Sequence, residues 1–435
     1  MKLTVFQAGK GDCLLLQAND GTNILVDGGV RDAYRTHVAP ALGALEQSGA
    51  VLDLVYLSHI DDDHIAGILQ LMDDLVAWRV YDFQQQSGNT TFKQPKQPRP
   101  PTVKNLWHNP FHEAISKNTG PIEDMLATRA GVLELGTAQW AKTQAQLQRE
   151  LATSVAEGIE LSRRVRPEQL NIKVNGPFAG KLAFAHPGAQ PITLGSLTIT
   201  VVGPFPEDLA VLRKEWNTWL DDNQDQLDDL RRSLDRDAEH LHASEFEQLR
   251  GWLTLATTKL GDRSKVTAPN LASLMLLVEE DAKSVLLTGD GHHADILKGL
   301  ALAGKLSAAG GVHLDVLKVQ HHGSENNLDE AFARKVTADH YIFCADGEHD
   351  NPDTRVVRAL LDSRLGPPSK RSTNPEAGRP FVFHFNSSSK ATEGADNRAV
   401  MRAVERQVRH AASKSAGQLT FSFLEGASSF ELKVG

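Results

Sequence analysis

Cysteine is nearly absent: Cys13 and Cys344 are the two in a chain of 435 residues. Each sits in an apolar, strand-like context, so two buried free thiols are expected, in a reducing cytoplasmic setting, and no disulfide framework. No apolar run approaches the roughly 18 residues that a spanning helix needs, so no contact with a membrane is expected. The strand-like Lys2-Leu3-Thr4-Val5-Phe6 stands where a leader would need a charged and then a long apolar region, so no secretory signal is expected either. Excess positive charge is also missing. The formal net charge is −9 and the pI is near 6.0. That argues against a protein whose whole surface grips nucleic acid, although a local groove could still be basic. No short-period repeat is evident. The length suits one large domain with insertions, or two to three modules.

What the chain does have is concentrated in Ser58-His59-Ile60-Asp61-Asp62-Asp63-His64, directly after the apolar run Leu54-Val55-Tyr56-Leu57. His59, Asp61, Asp63 and His64 are all metal-ligand types. Alternate residues of an extended segment share a face, so His59, Asp61 and Asp63 can point into one cavity. One open catalytic metal usually takes three protein ligands. Four suit two cations about 3.5–4 Å apart, an arrangement that serves hydrolysis at phosphorus or carbonyl centres. The competing reading is an acidic turn that caps a helix starting near His64. More ligand types close other strands. Asp290 follows Thr288-Gly289, and His321-His322 follow Val316 to Gln320. A helix cap before His293 and a satisfied turn would explain these separately. Their common position at strand ends favours a metal site.

Hydrophobic periodicity predicts strands at Leu3 to Phe6, Asp12 to Gln17 and Asn23 to Val26, a helix over Ala33 to Ser48, and a strand over Leu52 to Leu57. A helix from His64 to Asp74 and a short strand from Arg79 to Phe83 follow. Gln84 to Val103 reads as a mobile loop. From Leu106 to about Glu168 the pattern is mostly helical, and Glu207 to Thr258 reads as a charged helical segment with a wet face. Strands are expected at Leu182 to Ala185 and Leu194 to Val202, then at Leu271 to Glu279, Ser284 to Leu287, Val316 to Val319 and His340 to Cys344. Helices fall at His293 to Gly299 and Glu330 to Val336. The C-terminal part is read as strand Phe381 to Phe385, helix Asn397 to Ser413, and a hairpin of Leu419 to Leu424 with Phe430 to Val434. Strands and helices alternating in this way indicate an α/β layered fold.

Several of these residues form a pattern. Gly9-Lys10-Gly11-Asp12, Ile24 to Gly29, the His59–His64 loop, Asn270-Leu271-Ala272-Ser273, Leu286 to Asp290 and Val316 to Ser324 occur in this order. On them the chain resembles the metallo-β-lactamase superfamily, in its ComEC-like branch. The resemblance implies an α/β fold, a four-layer αββα sandwich with helical insertions and a C-terminal extension. Core halves would then lie at 1–83 and 265–365, with core strands at 181–205. A loop and helical insertion would occupy 84–180, a charged helical insertion 206–264, and the extension 366–435. It implies His59 and Asp61 as ligands of a first metal, Asp63 and His64 of a second, and Asp290 as their bridge. His321 or His322 would complete a site, the metal set including His322, while the other touches substrate or donates a proton. Asp63, His321 and His322 are thus the expected catalytic residues, and Asp27 is expected to orient the site from behind. Two departures stand out. Asp61 replaces the superfamily's usual His, which shifts preference from zinc toward manganese, with magnesium also compatible. The superfamily's further His, between the metal loop and the bridging Asp, has no match: Val202-Gly203-Pro204 ends the strand in question, and the nearest His, His186, precedes a proline. Asn351-Pro352 stands where relatives often have His-Pro.

The function expected is a hydrolase that uses a hydroxide shared between two divalent cations, acting as a phosphodiesterase or nuclease on DNA or RNA. The alternatives are hydrolysis of a small ester, lactone or nucleotide signal, and a binding or regulatory protein with a weakened site. Lys93, Lys96, Arg99 and Lys104, with Arg163, Arg164 and Arg166, could meet phosphates or simply be exposed charge. Trp107 with His108 could stack a base, although a packed Trp anchor is the stronger reading. The helical insertions are a further candidate surface for a protein partner.

Overall fold

The computed structural model describes residues 1–109, 157–158, 160–209, 270 and 272–434. In it, β1 (Lys2–Phe6), β2 (Leu14–Gln17), β3 (Asn23–Val26), β4 (Leu54–Tyr56), β5 (Asn105–Trp107) and β6 (Lys173–Val174) lie side by side in chain order. A second sheet takes β7 (Ile192–Leu194), β8 (Leu197–Gly203), β9 (Met275–Glu280), β10 (Lys283–Leu287), β11 (Val312–Lys318), β12 (Val336–Phe343), β13 (Phe381–Phe385) and β14 (Leu419–Phe423), also in order. The strand β15 (Ser429–Lys433) returns to the first sheet, antiparallel to β1.

Side-chain alternation explains the layers. Leu14 and Leu16 of β2 turn toward the second sheet, where they join Leu276, Val285 and Val316 in a buried cluster. Leu15 between them faces the opposite way, onto a cluster with Tyr34, Leu42, Ile65 and Leu69. Those residues come from a π turn (Tyr34–Val38), which follows α1 (Arg31–Ala33), and from α2 (Ala39–Gln47) and α3 (Asp62–Gln86). The second sheet's outer face, including Leu317, Tyr341 and Phe383, is covered by residues of α4 (His293–Leu302), α5 (Glu330–Lys335), α6 (Thr354–Leu365) and α7 (Ala395–Lys414). Both sheets are thus apolar on both faces, as parallel pairs such as β3–β4 and β10–β11–β12 require. The result is the expected four-layer αββα sandwich. Among the described residues, no helix is long and apolar enough to cross a membrane.

Several local expectations need correction. The strand expected at Arg79 to Phe83 is the last part of α3, which runs unbroken to Gln86. Trp, Val, Tyr and Phe favour strands, but no Gly or Pro interrupts the segment, and Trp78 is buried against the chain at Gln97. The stretch from Ser87 to Lys104 is irregular but anchored, because Arg99 makes a bidentate pair with Asp82 and stacks over Trp78. Asn105–Trp107 is a strand, not the start of a helical region. Leu182 to Ala185 lies outside any strand, held by Asn109 at both backbone groups of Ala183. The expected terminal hairpin does not exist: β14 pairs with β13 in the second sheet and β15 with β1 in the first. The helices expected within 110–156 and 210–269 lie outside the described residues.

One contact fixes where α3 begins. Gly67 on α3 approaches the backbone at Gly28 so closely that a Cβ would lie 2.0 Å from the Gly28 carbonyl oxygen. The Gly28 N–H in turn donates to the His64 carbonyl at 2.8 Å. Gly67→Ala should therefore push α3 off the strand ends and destabilise the fold by about 1–3 kcal/mol. A denaturant midpoint equal to that of the wild type would contradict this packing.

Candidate metal centre

The parallel strands of both sheets end on the same side, and ligands characteristically gather beyond such carboxyl ends. Asp27 follows β3, Ser58 and His59 follow β4, Asp290 follows β10, and His321 and His322 follow β11. Asp12 enters from the other direction, just before antiparallel β2. The N-terminus of α3 brings Asp61, Asp63 and His64.

Every expected site residue reaches this cluster. His59 Nε2 lies 3.5 Å from Asp61 and 3.7 Å from Asp290. His64 Nε2 is 3.4 Å from Asp290 and 3.9 Å from Asp63. His322 Nε2 is 3.2 Å from Asp63 and 3.5 Å from Asp290, and His321 Nε2 is also 3.5 Å from Asp290. The capping alternatives fail. Asp61 holds the N-cap position of α3 but makes no capping bond, and α4 is capped by His292 instead of Asp290.

The partners behind the rings assign their tautomers. Asp27 accepts from the Ser58 hydroxyl at 2.8 Å and from His64 Nδ1 at 3.0 Å. With its proton so committed, Ser58 Oγ accepts from His59 Nδ1 at 3.0 Å. His322 Nδ1 donates to the Cys344 carbonyl at 2.8 Å. Asn327 gives its amide hydrogens to the carbonyls of Asp290 and Gly291, so its oxygen accepts from His321 Nδ1 at 2.7 Å. All four rings thus carry hydrogen on Nδ1 and, when neutral, turn a lone pair on Nε2 toward Asp290. His64 Nε2 and His322 Nε2 face each other at 3.4 Å. Lone pairs facing lone pairs and carboxylates are unstable unless something positive lies between them. His59 Nε2, Asp290 Oδ1 and Asp12 Oδ1, in this same cluster, are among the buried atoms without a hydrogen-bond partner. The donor set therefore fits divalent cations.

The electrostatics agree. Burial works against charge on His64, but Asp290, Asp27, Asp63 and Asp12 outweigh it and hold the ring's pKa well above that of ordinary histidine. Burial likewise works against ionised Asp290, and the surrounding imidazoles overcome it, so the carboxyl stays well below the usual range. Burial pushes His321 down, which keeps its lone pair free. The cluster attracts positive charge.

Three site residues, Asp27, His321 and His322, adopt left-handed backbone with φ of 52°, 46° and 55°. Such strain in residues with side chains costs about 1–3 kcal/mol each and concentrates at functional sites.

Asp12 and Lys318 are the members that the ligand pattern in the sequence did not expose. Asp12, His64, Asp290 and His322 place ligand atoms within 4.8 Å of one another. Lys318 pairs with Asp12. The available signal was a lysine inside an otherwise apolar strand. His186, by contrast, is on the surface with its ring near Phe184. Pro352 packs beside Gly323. Trp107 is buried between the sheets and His108 is bonded to Asn175, so neither forms a base-stacking rim. Arg99, Lys104 and Arg164 are engaged with Asp82, Asp53 and Asp73, while Lys93, Lys96, Arg163 and Arg166 are exposed.

Residues 7–77 match the family model of the metallo-beta-lactamase superfamily, a stretch that includes the His59–His64 loop. No curated protein matches the chain. Zn(2+)-bound PqqB from Methylobacterium extorquens is similar at 12% identity over 100% of both chains, with a TM-score of 0.32. A protein of unknown function from Enterococcus faecalis V583 is similar at 8% identity over 98% of this chain and 88% of that one, with a TM-score of 0.25. Likeness at these scores carries no argument about the site.

Asp27 orients two of the rings, so Asp27→Asn should weaken divalent-metal affinity about 10–100-fold without removing a residue that faces Asp290. Competition with a chromophoric chelator measures this. Affinity equal to that of the wild type would mean that Asp27 does not hold those rings.

Proposed function

We propose that this protein is a metal-dependent hydrolase with two divalent cations, manganese or zinc, acting on phosphodiesters of nucleic acid. The observation that carries the proposal is the ring of Nε2 atoms and carboxylates converging on Asp290, whose mutual repulsion only a proton or a cation can relieve. His59, Asp61 and His321 would hold one cation, Asp63, His64 and His322 the other, and Asp290 would lie between them. On this reading both members of the His pair are ligands, and His321 takes the place of the missing superfamily His. Cations held there would lower the pKa of water and draw electron density from a phosphoryl or acyl oxygen.

The remaining work falls to the chain. Asp61, Asp63 and His321 are the partly exposed members, with side chains 30%, 17% and 25% accessible, so substrate would enter on their side. Asp63, whose second oxygen need not be spent on a cation, is there within reach of a reacting group, to orient it or move a proton. His322, deeper and bonded to the Cys344 carbonyl, positions Asp63. Ser58 is committed to Asp27 and the two thiols are buried, so none of these three competes for the role. The carboxylate at Asp61 makes the donor set richer in oxygen, which supports manganese alongside zinc. The phosphodiester assignment is supported by the ComEC-like resemblance of the ordered segments from Gly9 to Ser324, as a family analogy.

The test is cleavage of single-stranded DNA with Mn²⁺, Zn²⁺ or chelator, with Asp63→Ala as control. Cleavage should require metal and fall at least about 100-fold in the variant. Protein loaded with two metals that leaves DNA and RNA intact would sink the nucleic-acid assignment and favour a small ester or nucleotide substrate.

A further inference from the structure

The centre also contains a positive charge of its own. Lys318, the last residue of β11, is 1% exposed, and Val316, Leu317 and Val319 around it are fully buried. An ammonium at that depth persists only with partners. Its Nζ is bonded to Asp12, donates to the Gly289 carbonyl at 3.1 Å, and lies 3.9 Å from Asp290 Oδ1. Lysine suits this place as a compact point charge on a long stem, where the planar fork of arginine would need more room.

Asp12 is the residue whose behaviour needs this charge. It belongs to the tightest group of ligand atoms, with His64, Asp290 and His322. Its Oδ1 is buried without a hydrogen-bond partner, 3.4 Å from His322 Nδ1, whose hydrogen goes to Cys344. A carboxylate so placed has the position and the free oxygen to ligate a cation. The ammonium on its other oxygen supplies the positive charge first.

Resting on the two-cation reading above, we propose that Lys318 is a built-in counter-ion. It occupies the Asp12 side of the cluster, keeps Asp12 from serving as a ligand, and so limits the centre to two divalent ions. Through Gly289 it also positions the bridging Asp290.

The experiment compares Lys318→Met, Asp12→Asn and the double variant with the wild type. Mn²⁺ and Zn²⁺ per chain are measured after equilibrium dialysis with each metal alone, and melting is followed in chelator. The wild type should hold about two metals. Lys318→Met, which frees Asp12, should hold about three, or bind one of its ions at least about tenfold more tightly. Each single variant leaves a buried charge unpaired and should melt at least about 5 °C lower, whereas the double removes both charges and should largely recover. It should also return to two metals. If Lys318→Met does not fold, the double variant still decides, because it should fold and hold two. The proposal is overturned by a folded Lys318→Met with the wild-type metal content and affinity, or by a double variant no more stable than Lys318→Met. Wild-type protein that takes up no metal would overturn the two-cation reading and this proposal together, and that failure is recognisable before any variant is compared.

Discussion

Four imidazole nitrogens and a set of carboxylates are pressed together around Asp290, and only a cation or a proton makes that arrangement stable. The rest of the site is built to maintain it. Asp27, Ser58, Asn327 and the Cys344 carbonyl occupy every Nδ1–H, so no ring can turn its hydrogen inward and relieve the repulsion. Asp12, Asp27, Asp61, Asp63 and Asp290 bring five formal negative charges to the cluster, against the one positive charge of Lys318. The remainder of about four is what two divalent ions, on the proposed reading, would neutralise, and a centre neutral when loaded would avoid the large cost of net charge in a dry interior.

The sandwich makes such crowding affordable. Parallel strands buried on both faces deliver their ends to one rim, and the apolar clusters on either side hold the two sheets at a fixed spacing. Asp27, His321 and His322 are kept in left-handed backbone by their neighbours, including the bond from the His321 N–H to the Gly289 carbonyl at 3.1 Å. Strain and like-charge crowding at the rim are therefore sustained by packing elsewhere. A cation converts the crowding from a cost into binding energy.

The sequence showed this centre unevenly, for reasons of distance along the chain. His59, Asp61, Asp63 and His64 were legible because six residues carry them, and Asp290 and the His pair because each closes an apolar run. The pairing of Asp12 with Lys318 was not legible. It joins the start of the first sheet to the end of a strand in the second, and although both residues lie in quoted segments, nothing local marks them as partners. The layered α/β fold followed from alternating periodicity. The Arg79 to Phe83 misreading arose because β-favouring side chains can continue a helix when no breaker intervenes and one of the neighbours, Trp78, is packed. The false hairpin at the C-terminal end has a similar cause. Two strand-like runs around Gly426 look the same locally whether the link is a turn or a crossing between sheets, and only the partners β1 and β13 decide between them.

Whether two divalent ions share Asp290 is decided by electron paramagnetic resonance of the manganese-loaded protein. Two ions bridged by that carboxylate would lie about 3.5–4 Å apart and give the multiline signal of an exchange-coupled pair. An isolated six-line signal from a single ion at full loading would contradict it.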